Sequence, residues 1–365
     1  MPSLADLELA YLKLKVVSPT GSSLDDYRRD FYVQEGVSLT PEMSTADMEM
    51  AFLKSVVVSP TGSSLSDYRR DWWTQELSGD TPVDPFVGPL DAYATPFRAH
   101  SLRRLLGAYT GPAIKVRRSA DSVELDVGFT DLGALDEAAL LAHVGAGSGF
   151  VSTWYDQSGN GRHFAQATEA LQPRIVNAGV LDVVSGKPAA VFDGTDDVLL
   201  SPVAGLYSAT TATVMAVLKS ASSVPANATL FSECRTANNN GFWRALRGST
   251  ANWNVQATDD AGVALWASTS AGSNLFDTNL HQAFYVEASG LISTWRDTVA
   301  AHVAIAATRT AAAMTPIKST LGAHSGSTTS SWYGGFVQEL VAWASDLSAN
   351  RAALSTDQKT FWGTP

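Results

Sequence analysis

The sequence predicts a mainly β fold, an antiparallel β-sandwich joined to a small α-helical N-terminal region of two tandem helical hairpins. Two observations predict it. The stretch Asp6–Glu35 is written again at Asp47–Glu76, with apolar residues at helical spacing in both copies. From about Asp91 onward, short β-branched and aromatic runs alternate with Gly, Pro, Asn and Asp, the pattern of strands and tight turns.

In each copy Asp6 or Asp47 can cap a first helix. That helix places Leu9, Leu12 and Val16, or Met50, Leu53 and Val57, on one face. Ser18-Pro19-Thr20-Gly21 breaks it. Ser23 with Asp26, and Ser64 with Asp67, then start a second helix carrying Leu24, Tyr27 and Phe31, or Leu65, Tyr68 and Trp72. A hairpin this short buries too little apolar surface to stand alone. The aromatic pairs Tyr11/Phe52, Phe31/Trp72 and Tyr32/Trp73 are therefore expected as an anchoring interface, between the two hairpins or with a partner. The expected organisation is one hairpin over residues 1–36, a second over 37–78, a Pro- and Gly-rich linker over 79–91, and the β domain over 92–365.

In the β domain, strands are expected at Ala113–Arg117, Gly149–Trp154, Ala189–Phe192, Thr213–Leu218, Ala228–Ser232 and Trp253–Ala257. Further strands are expected at Val263–Ala267, Gln282–Ala288, Leu291–Arg296, Lys318–Gly322 and Gly335–Ala342. Helices are expected at Ser101–Leu106, Leu135–His143 and Ser348–Phe361.

The formal net charge of -11 argues against a nucleic-acid or anionic-membrane surface, which needs clustered Lys and Arg. The single cysteine, Cys234, allows no intrachain disulfide, and with six scattered His it gives no zinc-ligand spacing. The N-terminus lacks the basic and apolar regions of a signal peptide. No apolar stretch reaches the ~18 residues of a membrane-spanning helix. Neither nucleic acid nor membrane is expected as a partner, and a homo-oligomer is left open.

Two clusters are candidates for binding. Trp154, Tyr155, Asp156 and Asn160 combine aromatic platforms with hydrogen-bonding groups, as a carbohydrate site requires. The same residues also read as core filling and turn bonding. Asp193, Asp196 and Asp197 could supply oxygen ligands to calcium, or cap a turn entering a strand. For catalysis, a retaining glycosidase needs two carboxyl groups about 5–5.5 Å apart. Asp156, Asp193, Asp196, Asp197, Glu233 and Glu339 are the available groups. Only Asp196 and Asp197 are adjacent, and neighbours on a strand point to opposite faces. No catalytic pair is therefore assigned from the sequence.

The tracts SLRRLLGAYTGPAIKVRRS at Ser101–Ser119, TWYDQSGNGRHFAQAT at Thr153–Thr168, QPRIV at Gln172–Val176 and KPAAVFDGTDDVLL at Lys187–Leu200 share one resemblance. They resemble the catalytic domain of the family-54 α-L-arabinofuranosidases, which implies a lectin-like β-sandwich of the concanavalin/laminin-G type. The segment Tyr333–Gly363 is similar to the last strand and trailing helix of laminin-G-like domains. The resemblance spans roughly Ala92 to Gly363. Similar tracts occur in bacteriophage tail and other virion proteins, and the duplicated hairpin is similar to helical modules of actinobacteriophage structural proteins.

The chain departs from the arabinofuranosidase pattern at its chemistry. That family places a nucleophilic Glu and an acid/base Asp downstream of the FDG motif, and neither motif is matched after Phe192-Asp193-Gly194. Its vicinal Cys–Cys pair cannot form from Cys234 alone. The expectation is thus a non-enzymatic bacteriophage protein on the virion surface, of minor tail or head decoration type. Residues 1–80 would dock on capsid or tail scaffold proteins, and the lectin-like domain would display itself to a host-surface glycan. Calcium is the one cofactor left open. The alternative is a glycoside hydrolase of arabinofuranosidase type acting on cell-wall polysaccharide.

Overall fold

A computed structural model of the chain describes residues 86–206, 211–221, 228–235, 242–249, 252–258, 264–271, 279–306, 317–325 and 329–365, together with Asp26, Arg28, Glu49 and Lys54. The anchoring aromatics Tyr11, Phe31, Tyr32, Phe52, Trp72 and Trp73 lie outside the described residues. The chain divides into two units, Met1–Pro85 and Phe86–Pro365.

The second unit is mainly β and antiparallel, with few helices. Its strands begin with β1 (Arg98–Ser101), β2 (Ile114–Arg118), β3 (Glu124–Val127), β4 (Gly149–Trp154), β5 (Phe164–Ala165) and β6 (Arg174–Asn177). There follow β7 (Val180–Leu181), β8 (Val183–Val184), β9 (Lys187–Pro188), β10 (Ala190–Asp193), β11 (Leu199–Ser201) and β12 (Ala212–Ser220). Next come β13 (Ala228–Cys234), β14 (Phe242–Ser249), β15 (Asn252–Thr258), β16 (Ala264–Ala271), β17 (Leu280–Ala288) and β18 (Leu291–Arg296). The last are β19 (Val299–Ala306), β20 (Lys318–Leu321), β21 (His324–Ser325), β22 (Thr329–Ser330) and β23 (Gly334–Trp343).

One run of paired strands reads β3, β2, β4, β6, β10, β23, β12, β17, β18, β19. A second reads β5, β11, β20, β13, β14, β15, β16 and joins the first where β4 pairs with β5. Apolar side chains of both runs meet in one core: Val151, Trp154, Val214 and Val337 from the first, Phe164, Leu199, Phe231 and Leu321 from the second. Burial of such side chains is the main driving force, about 1.5–3 kcal/mol each.

Two helices complete the unit. Helix α1 (Glu137–Val144) starts where the Asp136 side chain accepts a bond from the Ala139 amide, a cap legible in LDEAALLAH. Helix α2 (Arg351–Trp362) ends at Gly363, in the left-handed conformation. The helix expected at Ser101–Leu106 does not form. Ser101 ends β1, Arg103 makes an isolated bridge to Ala134, and the Leu105 amide donates to Gln157 Oε1. These long-range partners outweigh the helical spacing of its leucines.

Strand β1 carries two buried basic side chains into the core, a charged Arg98 and a neutral His100. Arg98 packs on the rings of Phe97, Phe164 and Phe231 and donates to Val203 O and Ser319 Oγ. His100 is fully buried, its ring 4.6 Å from Phe164, and neither ring nitrogen makes a well-formed hydrogen bond. Burial pushes its pKa down to about 3; Asp156 opposes that and Arg98 adds to it. The folded protein therefore holds His100 neutral where the unfolded chain, with pKa near 6.5, takes up a proton. Stability must fall as pH drops from about 6.5 towards 3. His100→Leu is expected to move the acid-unfolding midpoint, followed by circular dichroism, to lower pH. An unchanged or higher midpoint would sink this.

Candidate functional site

A cleft of about 540 Å³ opens on the outer side of the first run. Its walls are Arg117, Phe150, Glu169, Gln172, Arg174, Asp193 and Asp197. Three adjacent strands form the floor, because Phe150 on β4 pairs with Arg174 on β6, which pairs with Val191 on β10.

The carboxyl groups come from the loop Asp193-Gly194-Thr195-Asp196-Asp197 that leaves β10. Asp193 Oδ1 accepts from the amides of Thr195 at 2.7 Å, Asp196 at 3.1 Å and Asp197 at 3.4 Å. Asp197 Oδ2 accepts in return from the Asp193 amide at 2.8 Å. Gly194 sits at φ +79, and a Cβ there would come within 3.1 Å of Gly334 Cα, so glycine is required. The closed loop brings an oxygen of each of Asp193, Asp196 and Asp197 within 4.8 Å of one another. Asp197 is buried and Asp193 exposed. Burial pushes the Asp197 pKa up to about 7, reinforced by Asp193 and Asp196 and opposed by the Asp193 amide and Arg174. Asp193 Oδ2 and Asp197 Oδ1 are not used by the loop's hydrogen bonds.

Two guanidinium groups are fixed beside this pair. Arg117 lies over the Phe150 ring at 4.9 Å, donates to Gln172 Oε1 at 2.8 Å and pairs with Glu169 at 3.4 Å. Arg174 makes a forked pair with Asp182, at 2.9 and 3.1 Å. Sequence reasoning assigned no site role to Arg117, Glu169, Arg174 or Asp182, although Arg117 and Arg174 lie in the tracts that carry the resemblance. Asp193 and Asp197 are both among the carboxyl groups named from the sequence, but a spacing of this kind inside a loop matches neither strand nor helix periodicity, so they are not paired there.

The residues expected to bind sugar are placed differently. Trp154 is fully buried in the core. Asp156 is buried and accepts from Ala99 N, Ser158 N, Ser158 Oγ and Arg162 N, at 2.8 to 3.0 Å. Asn160 is exposed but donates to Pro96 O and Phe97 O. Tyr155 is half-buried and donates to Asp126 Oδ1 at 2.7 Å. Gln157 holds Leu105 N and the carbonyls of Ser101 and Arg103. The WYDQSGNGRH tract thus clips β1 and the segment after it to the sheet. Each buried donor left without its acceptor costs about 1–3 kcal/mol. Asp156→Ala is accordingly expected to lower the melting temperature by several degrees; an unchanged melt would leave the clip without weight.

The residue pattern has a counterpart among known proteins. The family model "Alpha-L-arabinofuranosidase B, catalytic" matches residues 89–228, which include every cleft residue named above. An α-L-arabinofuranosidase of Hypocrea jecorina is 38% identical over 85 residues, 22% of this chain and 17% of that one. A probable α-L-arabinofuranosidase B of Aspergillus terreus is 38% identical over 86 residues, with the same shares. The chain thus spans under a fifth of the length of these curated relatives. A crystal structure of an arabinofuranosidase complexed with arabinofuranosyl-α-1,2-xylobiose superposes with a TM-score of 0.52 at 14% identity, over 74% of this chain and 64% of that one. A GH54 α-L-arabinofuranosidase soaked with a cyclic sulfate inhibitor gives the same TM-score at 15% identity and shows the same fold.

These likenesses correct the expectation of a non-enzymatic virion protein. Nothing in them shows a bacteriophage protein, a capsid or tail scaffold partner for residues 1–80, or a place on a virion surface. Its sequence basis was the duplicated hairpin and the tracts similar to those of virion proteins, together with the absence of the family's catalytic motifs after Phe192-Asp193-Gly194. The family match ends at residue 228 and takes in all four tracts that carry the resemblance, the last of which ends at Leu200. What the chain resembles is the catalytic domain of the GH54 α-L-arabinofuranosidases.

Proposed function

We propose that this chain is a β-sandwich glycoside hydrolase that removes α-L-arabinofuranosyl groups, with Asp193 and Asp197 as its carboxyl pair. This pair is this chain's own and differs from the family's nucleophilic Glu and acid/base Asp downstream of FDG. The observation that supports it best is that the cleft holding it lies wholly within the residues matched to an arabinofuranosidase catalytic model. The oxygen separation of at most 4.8 Å suits the short carboxyl spacing of a retaining mechanism.

In that mechanism Asp193 Oδ2 attacks the anomeric carbon while the Asp197 carboxylic acid gives its proton to the departing glycosidic oxygen. The C–O bond to the leaving group breaks as the ester to Asp193 forms. The Asp197 carboxylate then takes a proton from water, whose oxygen displaces Asp193 and releases arabinose. Amide bonds to Asp193 Oδ1 hold the nucleophile in place, and an acid with pKa near the working pH is suited to the proton transfers. The test is release of nitrophenol from 4-nitrophenyl α-L-arabinofuranoside, lost in Asp193→Asn and Asp197→Asn. No turnover by the full chain, or turnover unaffected by either change, would overturn the assignment.

A further inference from the structure

We propose that the sheet face continuing from the cleft binds the neutral main chain of a polysaccharide, laid across the strands with about one sugar residue per strand. This deepens the hydrolase reading, on which it rests for the side group that the polymer presents to Asp193 and Asp197.

The register defines one continuous row. Arg117 pairs with Phe150, Phe150 with Arg174, Arg174 with Val191, Val191 with Phe336, and Phe336 with Lys219. Directly paired residues point to the same side of a sheet. Their neighbours Val116, Val151, Ile175, Phe192, Val337 and Leu218 are all buried in the core. The row therefore faces outward, and five of its six members are partly exposed, Arg117 being the buried one.

Three physical features fit such an occupant. Adjacent strands are ~4.8 Å apart, close to the rise of one pyranose in an extended β-1,4-linked chain. Planar groups recur along the row, the guanidinium groups of Arg117 and Arg174 and the rings of Phe150 and Phe336. Rings of this kind offer an apolar face to the C–H face of a sugar, and guanidinium N–H groups meet its hydroxyls. The cationic groups of the cleft are already balanced, Arg117 by Glu169 and Arg174 by Asp182, which leaves the Asp193 and Asp197 carboxyls as the charge facing a ligand. A neutral hydroxylated polymer is not repelled by those carboxyls, whereas an acidic one would meet them and would have to displace Glu169 and Asp182 to reach the guanidinium groups. Asp193 follows Val191 by two positions on β10, so the row leads into the carboxyl pair.

Affinity electrophoresis of the full chain, in gels holding soluble arabinoxylan or polygalacturonate, tests this. Retardation by arabinoxylan and not by polygalacturonate is expected. Phe336→Ala and Lys219→Ala should weaken it, by ~10-fold in dissociation constant for the lost ring, about 1.4 kcal/mol. Leu132→Ala, at a side chain 88% exposed elsewhere, should not. Thermal melts of each variant separate lost binding from lost folding. No retardation by arabinoxylan, equal retardation of folded Phe336→Ala and Lys219→Ala, or stronger retardation by polygalacturonate would each overturn the proposal. Row-dependent retardation in a chain without nitrophenol release would leave this proposal standing and remove the hydrolytic one.

Discussion

Glu339→Leu is expected to lose about 3–5 kcal/mol of unfolding free energy, the usual cost of leaving a buried partner charge uncompensated. Glu339 is fully buried on β23 and takes five hydrogen bonds. Oε2 accepts from Ser101 Oγ at 3.0 Å, Arg103 Nε at 2.8 Å and Trp362 Nε1 at 3.1 Å. Oε1 accepts from Gln358 Nε2 at 2.8 Å and Arg103 Nη2 at 3.4 Å. The group thus ties β23 to the segment after β1 and to α2. Burial alone would raise its pKa, yet Arg103 and the hydrogen bonds hold it below the usual carboxylate value. Its contribution is present above the unfolded pKa and is lost as pH falls through the folded one. Leucine fills the volume but removes one of the two carboxylates that hold the Arg103 guanidinium, whose side chain is 4% exposed, and leaves it only the partly exposed Asp357. Urea unfolding should show the loss, with a melting temperature lower by on the order of 10 °C. Arg103→Leu combined with Glu339→Leu should recover part of it, because the buried guanidinium is gone and the Asp357 it also pairs with is partly exposed to water. A single-variant loss under about 1 kcal/mol would sink the argument.

This node also shows where sequence reading stops. Strands Gly149–Trp154 and Leu291–Arg296 were legible to the residue, because alternation and flanking turns are local signals. The helix expected at Leu135–His143 forms as α1, one residue further on at its C-terminal end, with Asp136 as its cap. The text SLRRLL carries a helical spacing equally well, and only Glu339, at the far end of the chain, and Gln157 turn it into an extended clip. No local pattern holds that information. The cleft was unreadable for the same reason. Phe150, Arg174 and Val191 become neighbours through strand register, and register is a property of the assembled sheet. The carboxyl pair is a different case. Asp193 and Asp197 were both singled out, as calcium ligands, a turn cap or unpaired catalytic candidates. Their pairing needed the loop closed by amide bonds in both directions.

Asp197→Asn is expected to reduce kcat/KM on 4-nitrophenyl α-L-arabinofuranoside by about 10²–10⁴-fold, the usual contribution of a positioned acid/base group. The amide keeps a carbonyl oxygen for the Asp193 amide that now donates to Oδ2, so the loop can stay closed. It cannot give a proton to the leaving oxygen. The unmodified chain should lose activity as pH rises through about 7, because the acid form of Asp197 is then titrated away. A lowered stability would confuse this reading, but the linkage runs the other way. The Asp197 pKa lies above the unfolded value of 3.8, so its protonation favours the folded state. That contribution is complete below pH 3.8 and is lost as pH rises through about 7. Replacing a buried carboxylate by a neutral amide should therefore make the protein more stable at pH 8, not less. Lower activity with a higher melting temperature at pH 8 is a combination that simple unfolding cannot produce. Activity retained in Asp197→Asn, or an activity that keeps rising above pH 8 in the unmodified chain, would remove Asp197 from the reaction.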